Sequence, residues 1–104
     1  MNPSFFSTPQ KLLLVIYEYY EKYKTYPAIS EIYSVLNRNT KLWYNWQDFL
    51  VENGLIEIKE TRSRAGSIKK IVQLTDKGME LAKLTKQYYD DVIKILNEIE
   101  VTRP

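Results

Sequence analysis

Hydrophobic residues near the N-terminus recur too densely for a helix that buries only one side. Apolar and aromatic residues dominate from Thr8 to about Tyr23 and cover nearly the whole circumference of a helix. Thr8 is the expected N-cap, and Pro9 suits the first turn because its missing N–H would have no partner there. The pattern therefore predicts a first helix that is buried on more than one side.

Two further helices are predicted between Pro27 and Gly54. Apolar spacing predicts a short second helix over residues 29–36, and a turn then supplies Asn39 or Thr40 as the next N-cap. The third helix is predicted to end near Glu52, with Gly54 in the left-handed conformation that often follows a helix. Its apolar residues form the stripe expected to face the core: Trp43, Trp46, Phe49 and Leu50.

Residues 55–62 and 68–74 alternate between apolar and polar side chains, which is typical of strands with one buried face. A short polar segment separates them, so they are predicted to form an antiparallel hairpin. Thr75 is the expected N-cap of a last helix over residues 76–100, about 37 Å long. The predicted class is α+β, mostly helical, in a single domain of residues 1–104, with a core and hairpin over 8–75 and a terminal helix over 76–100.

Composition excludes several kinds of chemistry. The 104 residues include no cysteine and no histidine, so thiolate nucleophiles, disulfides, Cys/His zinc sites and histidine bases are ruled out. Asp90 and Asp91 are adjacent and would point about 100° apart on a helix, which makes them a poor catalytic pair. The three glycines have structural roles, and no phosphate-cradling loop is present. We expect no enzymatic activity, no metal and no cofactor.

The chain shows no targeting or membrane signal. Its longest apolar run, residues 12–17, is far too short to span a bilayer. Residues 1–7 lack the basic region and cleavage site of a secretion signal. A cytoplasmic protein without membrane contact is therefore expected.

Two short motifs flank the predicted hairpin in "FLVENGLIEIKETRSRAGSIKKIVQLTDKG", residues 49–78. The first is Leu-x-x-x-Gly-Leu-Ile and the second is Leu-Thr-x-x-Gly, carried by Leu50, Gly54, Leu55 and Ile56 and by Leu74, Thr75 and Gly78. This segment resembles winged helix-turn-helix regulators of the MarR and PadR kind. In size the chain is more similar to compact winged-helix proteins of archaea and their viruses and plasmids, some of which repress genes and some of which coat plasmid partition sites. It lacks the extra terminal helices that frame the MarR ligand pocket, so no small-molecule effector is expected.

The resemblance implies that the third helix enters the major groove of double-stranded DNA and that the hairpin is a wing. Asn45 could pair with adenine, and Lys41 could reach guanine or a phosphate. The alternative is a merely solvated helix face. The candidate recognition-helix residues are Thr40, Lys41, Leu42, Tyr44, Asn45 and Asp48.

Charge is concentrated on the hairpin. The net charge of the chain is only +2, yet residues 59–70 hold five cations and one anion, a local charge of +4, whereas residues 76–100 sum to −2. One positive surface is expected where a protein meets phosphates. The alternative is that these cations only keep the hairpin soluble and protect its edges. The candidate wing residues are Arg62, Arg64, Ser67, Lys69 and Lys70.

The last helix carries an apolar stripe too wide to be covered by its own domain alone. Together with the first helix it predicts a homodimer; the alternative is that both helices pack only within one chain. The predicted interface residues are Leu13, Ile16, Leu84, Tyr88, Val92, Ile95 and Ile99.

These features together predict a homodimeric transcriptional repressor that recognises a pseudo-palindromic duplex. Two alternatives stay open: a partition or architectural DNA-coating protein of the same fold, and a winged-helix protein-interaction module that does not bind DNA. RNA binding is less expected, because the A-form major groove excludes a helix.

Overall fold

The computed structural model describes residues 6–102, and their side chains as far as Glu98. This part of the chain forms four helices and a two-stranded antiparallel sheet, which confirms the predicted mostly helical α+β class and the order of its elements. The elements are α1 (Thr8–Tyr23), α2 (Ile29–Val35), α3 (Thr40–Glu52), β1 (Ile56–Arg62), β2 (Ile68–Leu74) and α4 (Asp76–Thr102).

The first helix begins one residue earlier than predicted. Ser7, and not Thr8, is the N-cap: the Ser7 hydroxyl accepts from the Gln10 N–H at 3.5 Å, while Gln10 Oε1 accepts from the Ser7 N–H at 2.8 Å. This reciprocal pair satisfies two backbone donors, which Thr8 could not do. Thr8 is the first helical residue instead.

The connection between α2 and α3 is tight because two successive residues, Asn37 and Arg38, adopt left-handed φ angles of 55° and 62°. Asn39 then caps α3, its side chain accepting from the Leu42 N–H at 3.3 Å. Gly54, with φ of 70°, follows α3 as predicted.

The hairpin is hydrogen-bonded to the segment before α2. Strands β1 and β2 pair in register from Ile56 opposite Leu74 to Arg62 opposite Ile68. The Val72 N–H donates to the Pro27 carbonyl at 2.9 Å, so part of the outer edge of β2 is paired. The buried core that results is built from all helices and both strands: Leu12, Leu13, Ile16, Ile32, Trp43, Leu50, Leu55, Ile56, Val72, Leu74 and Ala82.

The predicted inner stripe of α3 is only partly correct. Trp43 and Leu50 are fully buried, but Trp46 is half-buried and Phe49 is 44% exposed. The Phe49 ring packs edge-on against Trp46, with centroids 5.5 Å apart. Phe49 therefore lies at the rim of the core and not inside it.

Helix α4 packs antiparallel to α1. Phe6, just before α1, contacts the rings of Tyr88 and Tyr89. Further along α1, Glu18 Oε1 lies 3.9 Å from Nζ of Lys86, which comes earlier in α4. With 27 residues, α4 is about 40 Å long and continues past the start of α1. The molecule is elongated, 61 Å long and 26 Å across.

Two residues assigned to the dimer interface lie in the interior of a single chain. Leu13 is 5% exposed and Ile16 is fully buried, so this assignment was wrong. The reason is that α3, α4 and β2 of the same chain cover the side of α1 that carries them. The side chain of Ile99 lies outside the described residues.

None of the helices in residues 6–102 combines the length and apolar character that a membrane span requires.

Candidate nucleic-acid interface

The outward side of α3 carries most of the residues predicted for base contact. Lys41, Tyr44, Asn45 and Asp48 are exposed, and Tyr44, at 67%, is the most exposed large hydrophobic side chain of this helix. Thr40 is exposed in the first turn, whereas Leu42 is half-buried and offers less surface than predicted. Helical spacing accounts for this face, because burying Trp43 and Leu50 turns these positions outward.

A compact turn holds the tip of the hairpin. The Ser63 N–H donates to the Ser67 carbonyl at 2.9 Å, and the Ser67 N–H donates to the Ser63 hydroxyl at 3.2 Å. Gly66 completes the turn with a φ of 85° and donates to the Ser63 carbonyl at 3.0 Å. Arg64 therefore projects from an ordered loop whose shape does not depend on any cation.

The predicted hairpin residues Arg62, Arg64, Ser67, Lys69 and Lys70 are all exposed. Within the described part of the chain, none of the four cations forms an ion pair; the salt bridge nearest to them joins Lys59 to Glu57 at 3.9 Å. Their positive charge is thus available to an external anion.

A cleft of about 390 Å³ joins α3 to the hairpin. It brings Tyr44, predicted on the outward side of α3, together with Lys69 and Lys70, predicted on the hairpin. The remaining lining comes from the start of α2 and from neighbouring positions, namely Ala28, Ile29, Ser30, Tyr33, Gln47 and Ile68. We call this depression the hairpin cleft.

Donor groups dominate the polar lining of the hairpin cleft. Gln47 Oε1 accepts a 2.6 Å hydrogen bond from the indole Nε1 of Trp43, which leaves the Gln47 amide N–H groups free to donate. Lys69 and Lys70 can only donate, and no Asp or Glu lines the cleft. Sequence analysis missed Gln47, although its position four residues after Trp43 is the spacing at which helical side chains meet.

Two tyrosines are linked at the edge of the hairpin cleft. The rings of Tyr33 and Tyr44 lie 6.4 Å apart. Partial burial, together with the hydrogen bond between its hydroxyl and Tyr44, raises the pKa of Tyr33 above its ordinary value. Tyr33 therefore stays protonated at neutral pH, and both tyrosines border the hairpin cleft.

A second exposed surface follows one side of α4. Leu84 is 68% exposed, Tyr88 44% and Ile95 54%, and Val92 between them is half-buried. Steps of four, four and three residues place all four on the same side of the helix. They are the predicted interface residues of α4 whose side chains are described.

The outer side of α1 is also apolar. Whereas Leu13 and Ile16 face the core, other positions of α1 line a groove of about 660 Å³ together with the end of α2 and one residue of α4. Its apolar and aromatic lining is Leu14, Val15, Tyr19, Tyr23, Val35, Leu36 and Tyr89.

Comparison with family models, with curated protein sequences and with solved structures gives no match to this chain. In the described part of the chain, no group of three or more His, Cys, Asp or Glu is placed to hold a metal ion. Function is therefore inferred from the surface formed by α3 and the hairpin.

Proposed function

We propose that the chain is a winged helix-turn-helix protein that binds double-stranded DNA, with α3 as the recognition helix and the β1–β2 hairpin as the wing. The observation that carries this proposal is the hairpin cleft, where Tyr44 of α3 and Lys69 and Lys70 of the hairpin line one depression. Because the two elements share this cleft, a duplex lying against α3 also meets the cations of the hairpin.

The distribution of charge supports the same orientation. Residues 59–70 carry a net charge of +4 and residues 76–100 a net charge of −2, so the molecule has a positive and a weakly negative end. Phosphates would be drawn to the hairpin end. There, Arg62 and Arg64 contact the backbone or the minor groove, while Lys41 and Asn45 face the bases of the major groove.

The proposed protein acts as a homodimer. Leu84, Tyr88 and Ile95 expose apolar surface along α4, which continues past the start of α1. A stripe at steps of three and four residues is the pattern by which helices pair. Two-fold pairing through α4 places two copies of α3 on one duplex, so the preferred site is pseudo-palindromic and the expected role is repression of transcription in the cytoplasm.

Binding to fluorescently labelled duplexes, followed by selection from genomic fragments and footprinting, tests this function. We expect retention of random duplex at low salt, a steep loss of affinity as salt rises, and tighter binding to selected fragments. One protected site of two half-sites supports a repressor, whereas protection that spreads along the DNA supports the partition or architectural role. No retention of any duplex at low ionic strength would overturn the proposal and favour a protein-interaction module.

A further inference from the structure

We propose that the hairpin cleft is a binding site for a single phosphate group of the DNA backbone, held by Gln47, Ser30 and Lys70 of β2. This inference rests on the proposed function and adds a specific site to it. Neither Ser30 nor Gln47 is among the residues that sequence analysis assigned to DNA. Both come from positions that only the packing of α2 and α3 against β2 brings together.

The hydrogen bond between Trp43 and Gln47 fixes what the cleft presents. A glutamine amide can offer either its oxygen or its nitrogen, but the fully buried indole of Trp43 takes the oxygen at 2.6 Å. If the amide were reversed, two donors would face each other and the indole N–H would have no acceptor. The packing of α3 thus commits Gln47 to donate into the cleft.

The other polar groups around the cleft can also donate. Tyr44 is 67% exposed, the Ser30 hydroxyl is exposed on α2, and either hydroxyl can donate to an oxyanion. Lys70 lies on the same face of β2 as Val72 and Leu74 and directs its charge toward the cleft, whereas Lys69 borders the cleft from the other face of the strand. The lining includes no carboxylate. Several donors converging without an anion is the arrangement that binds an oxyanion and disfavours a cation.

The size of the cleft also agrees with this ligand. Its volume of about 390 Å³ exceeds the roughly 30 Å³ occupied by one water molecule in the liquid and leaves room for a tetrahedral anion with bridging waters. Because the cleft lies between α3 and the hairpin, a phosphate held there fixes the duplex relative to both elements. Such a contact positions α3 without itself selecting a sequence.

Gln47→Glu is the decisive variant. Glutamate keeps an oxygen for the Trp43 indole, so the fold is retained, but it places a negative charge in the cleft. We expect Gln47→Glu to weaken binding to random and selected duplexes alike by about tenfold or more, and Lys70→Gln to lower the slope of log affinity against log salt by about one unit. Asn97→Asp, the same change of charge at an exposed position of α4, is the matched control and is expected to leave binding unchanged.

A duplex with single neutral methylphosphonates identifies the phosphate itself. In the wild type, one position in each half-site is expected to weaken binding about tenfold; in Lys70→Gln the same position should have almost no further effect. If the wild type binds duplex and Gln47→Glu binds it as tightly as Asn97→Asp does, the cleft assignment is overturned, whereas DNA binding itself is not.

Titration with inorganic phosphate, followed by NMR at the Gln47 side-chain amide, separates a free anion from the DNA backbone. Shifts of that amide in a protein that retains no duplex would overturn both the backbone assignment and the proposed function, and would identify the ligand as a free anion. A protein that retains duplex and loses it in Gln47→Glu supports both proposals. If the Gln47 amide does not shift and the protein retains no duplex, both proposals are overturned.

Discussion

Gly78 in the first turn of α4 lies directly against the backbone of Leu55, the residue before β1. A Cβ built at position 78 would collide with the Leu55 carbonyl oxygen, which accepts from the Thr75 N–H at 3.1 Å. The Thr75 hydroxyl donates to the Gly54 carbonyl at 2.5 Å and accepts from the Gly78 N–H at 3.0 Å. The Leu-Thr-x-x-Gly motif thus joins the start of α4 to the turn between α3 and β1.

Gly78→Ala is expected to destabilise the fold by about 3 kcal/mol or more, because the methyl group meets fixed backbone and not a side chain that can rotate away. Chemical denaturation monitored by the tryptophans measures the loss. Gly66→Ala is the control: its Cβ would enter open space, and only its φ of 85° is unfavourable, which costs about 1 kcal/mol. Equal losses for the two variants would show that close contact is not the reason for glycine at position 78.

The order and most of the bounds of the elements could be predicted because their signals are local. The Asn39 cap, the Gly54 turn and the alternation of the hairpin each depend on residues close together in the chain. Leu13 and Ile16 could not be assigned in this way. A helix that is apolar all round does not show which of its sides the same chain covers, and α3, α4 and β2 decide this through contacts distant in sequence.

The hairpin cleft has the same dependence on distant contacts. The exposure of Tyr44 follows from helical spacing around Trp43, and the cations of the hairpin are visible in the sequence. That Gln47 and Ser30 share a depression with Lys70 depends on how α2 and α3 pack against β2. No local pattern encodes that packing, so these residues were missed.

Asn45→Ala is expected to cost about 1–3 kcal/mol of binding free energy at the preferred site and little on random DNA, because a bidentate contact to adenine distinguishes sequences. Titrations of the two duplexes under identical salt measure the difference. Asn97→Ala, the same substitution at an exposed position of α4, is the matched control. An equal loss on both duplexes would reassign Asn45 to the DNA backbone.

Arg64→Ala is expected to weaken binding and to reduce the salt slope by about one unit, because each neutralised phosphate releases about one counterion. The ordered tip should keep its shape, since its hydrogen bonds join Ser63, Gly66 and Ser67 and not the arginine. Lys94→Ala removes an exposed cation from α4 and should leave the slope unchanged. A slope unaffected by Arg64→Ala would remove the tip from the proposed interface.

Stability is expected to fall at high pH because of partly buried tyrosines. Burial is the main cause that raises the pKa of Tyr26 above 10.0, with contributions from Tyr20 and Asp76, and burial also raises the pKa of Tyr33. Their stabilisation is complete below the pKa of the unfolded chain and is lost as pH rises through the folded pKa. Urea unfolding at pH 8 and above pH 10 measures this loss.

Tyr26→Phe should make that loss smaller, because one raised pKa is removed. Tyr23→Phe, at a side chain that is 54% exposed, serves as the control. Stability that increases above pH 10 would contradict the sign of the shift.

Leu84→Glu is expected to convert the proposed dimer to a monomer with little effect on the stability of each chain. The side chain is 68% exposed, so a charge there meets water in the monomer but would be buried against a second copy of α4. Analytical ultracentrifugation at micromolar concentration measures the mass, and Asn97→Asp adds the same charge on the opposite side of α4 as a control.

Leu84→Glu should also lose affinity for a duplex with two half-sites far more than for a duplex with one, because a monomer cannot bind both half-sites as one linked molecule. A wild-type chain that sediments as a monomer would contradict the dimer while leaving DNA binding by a single α3 and hairpin open to the other tests.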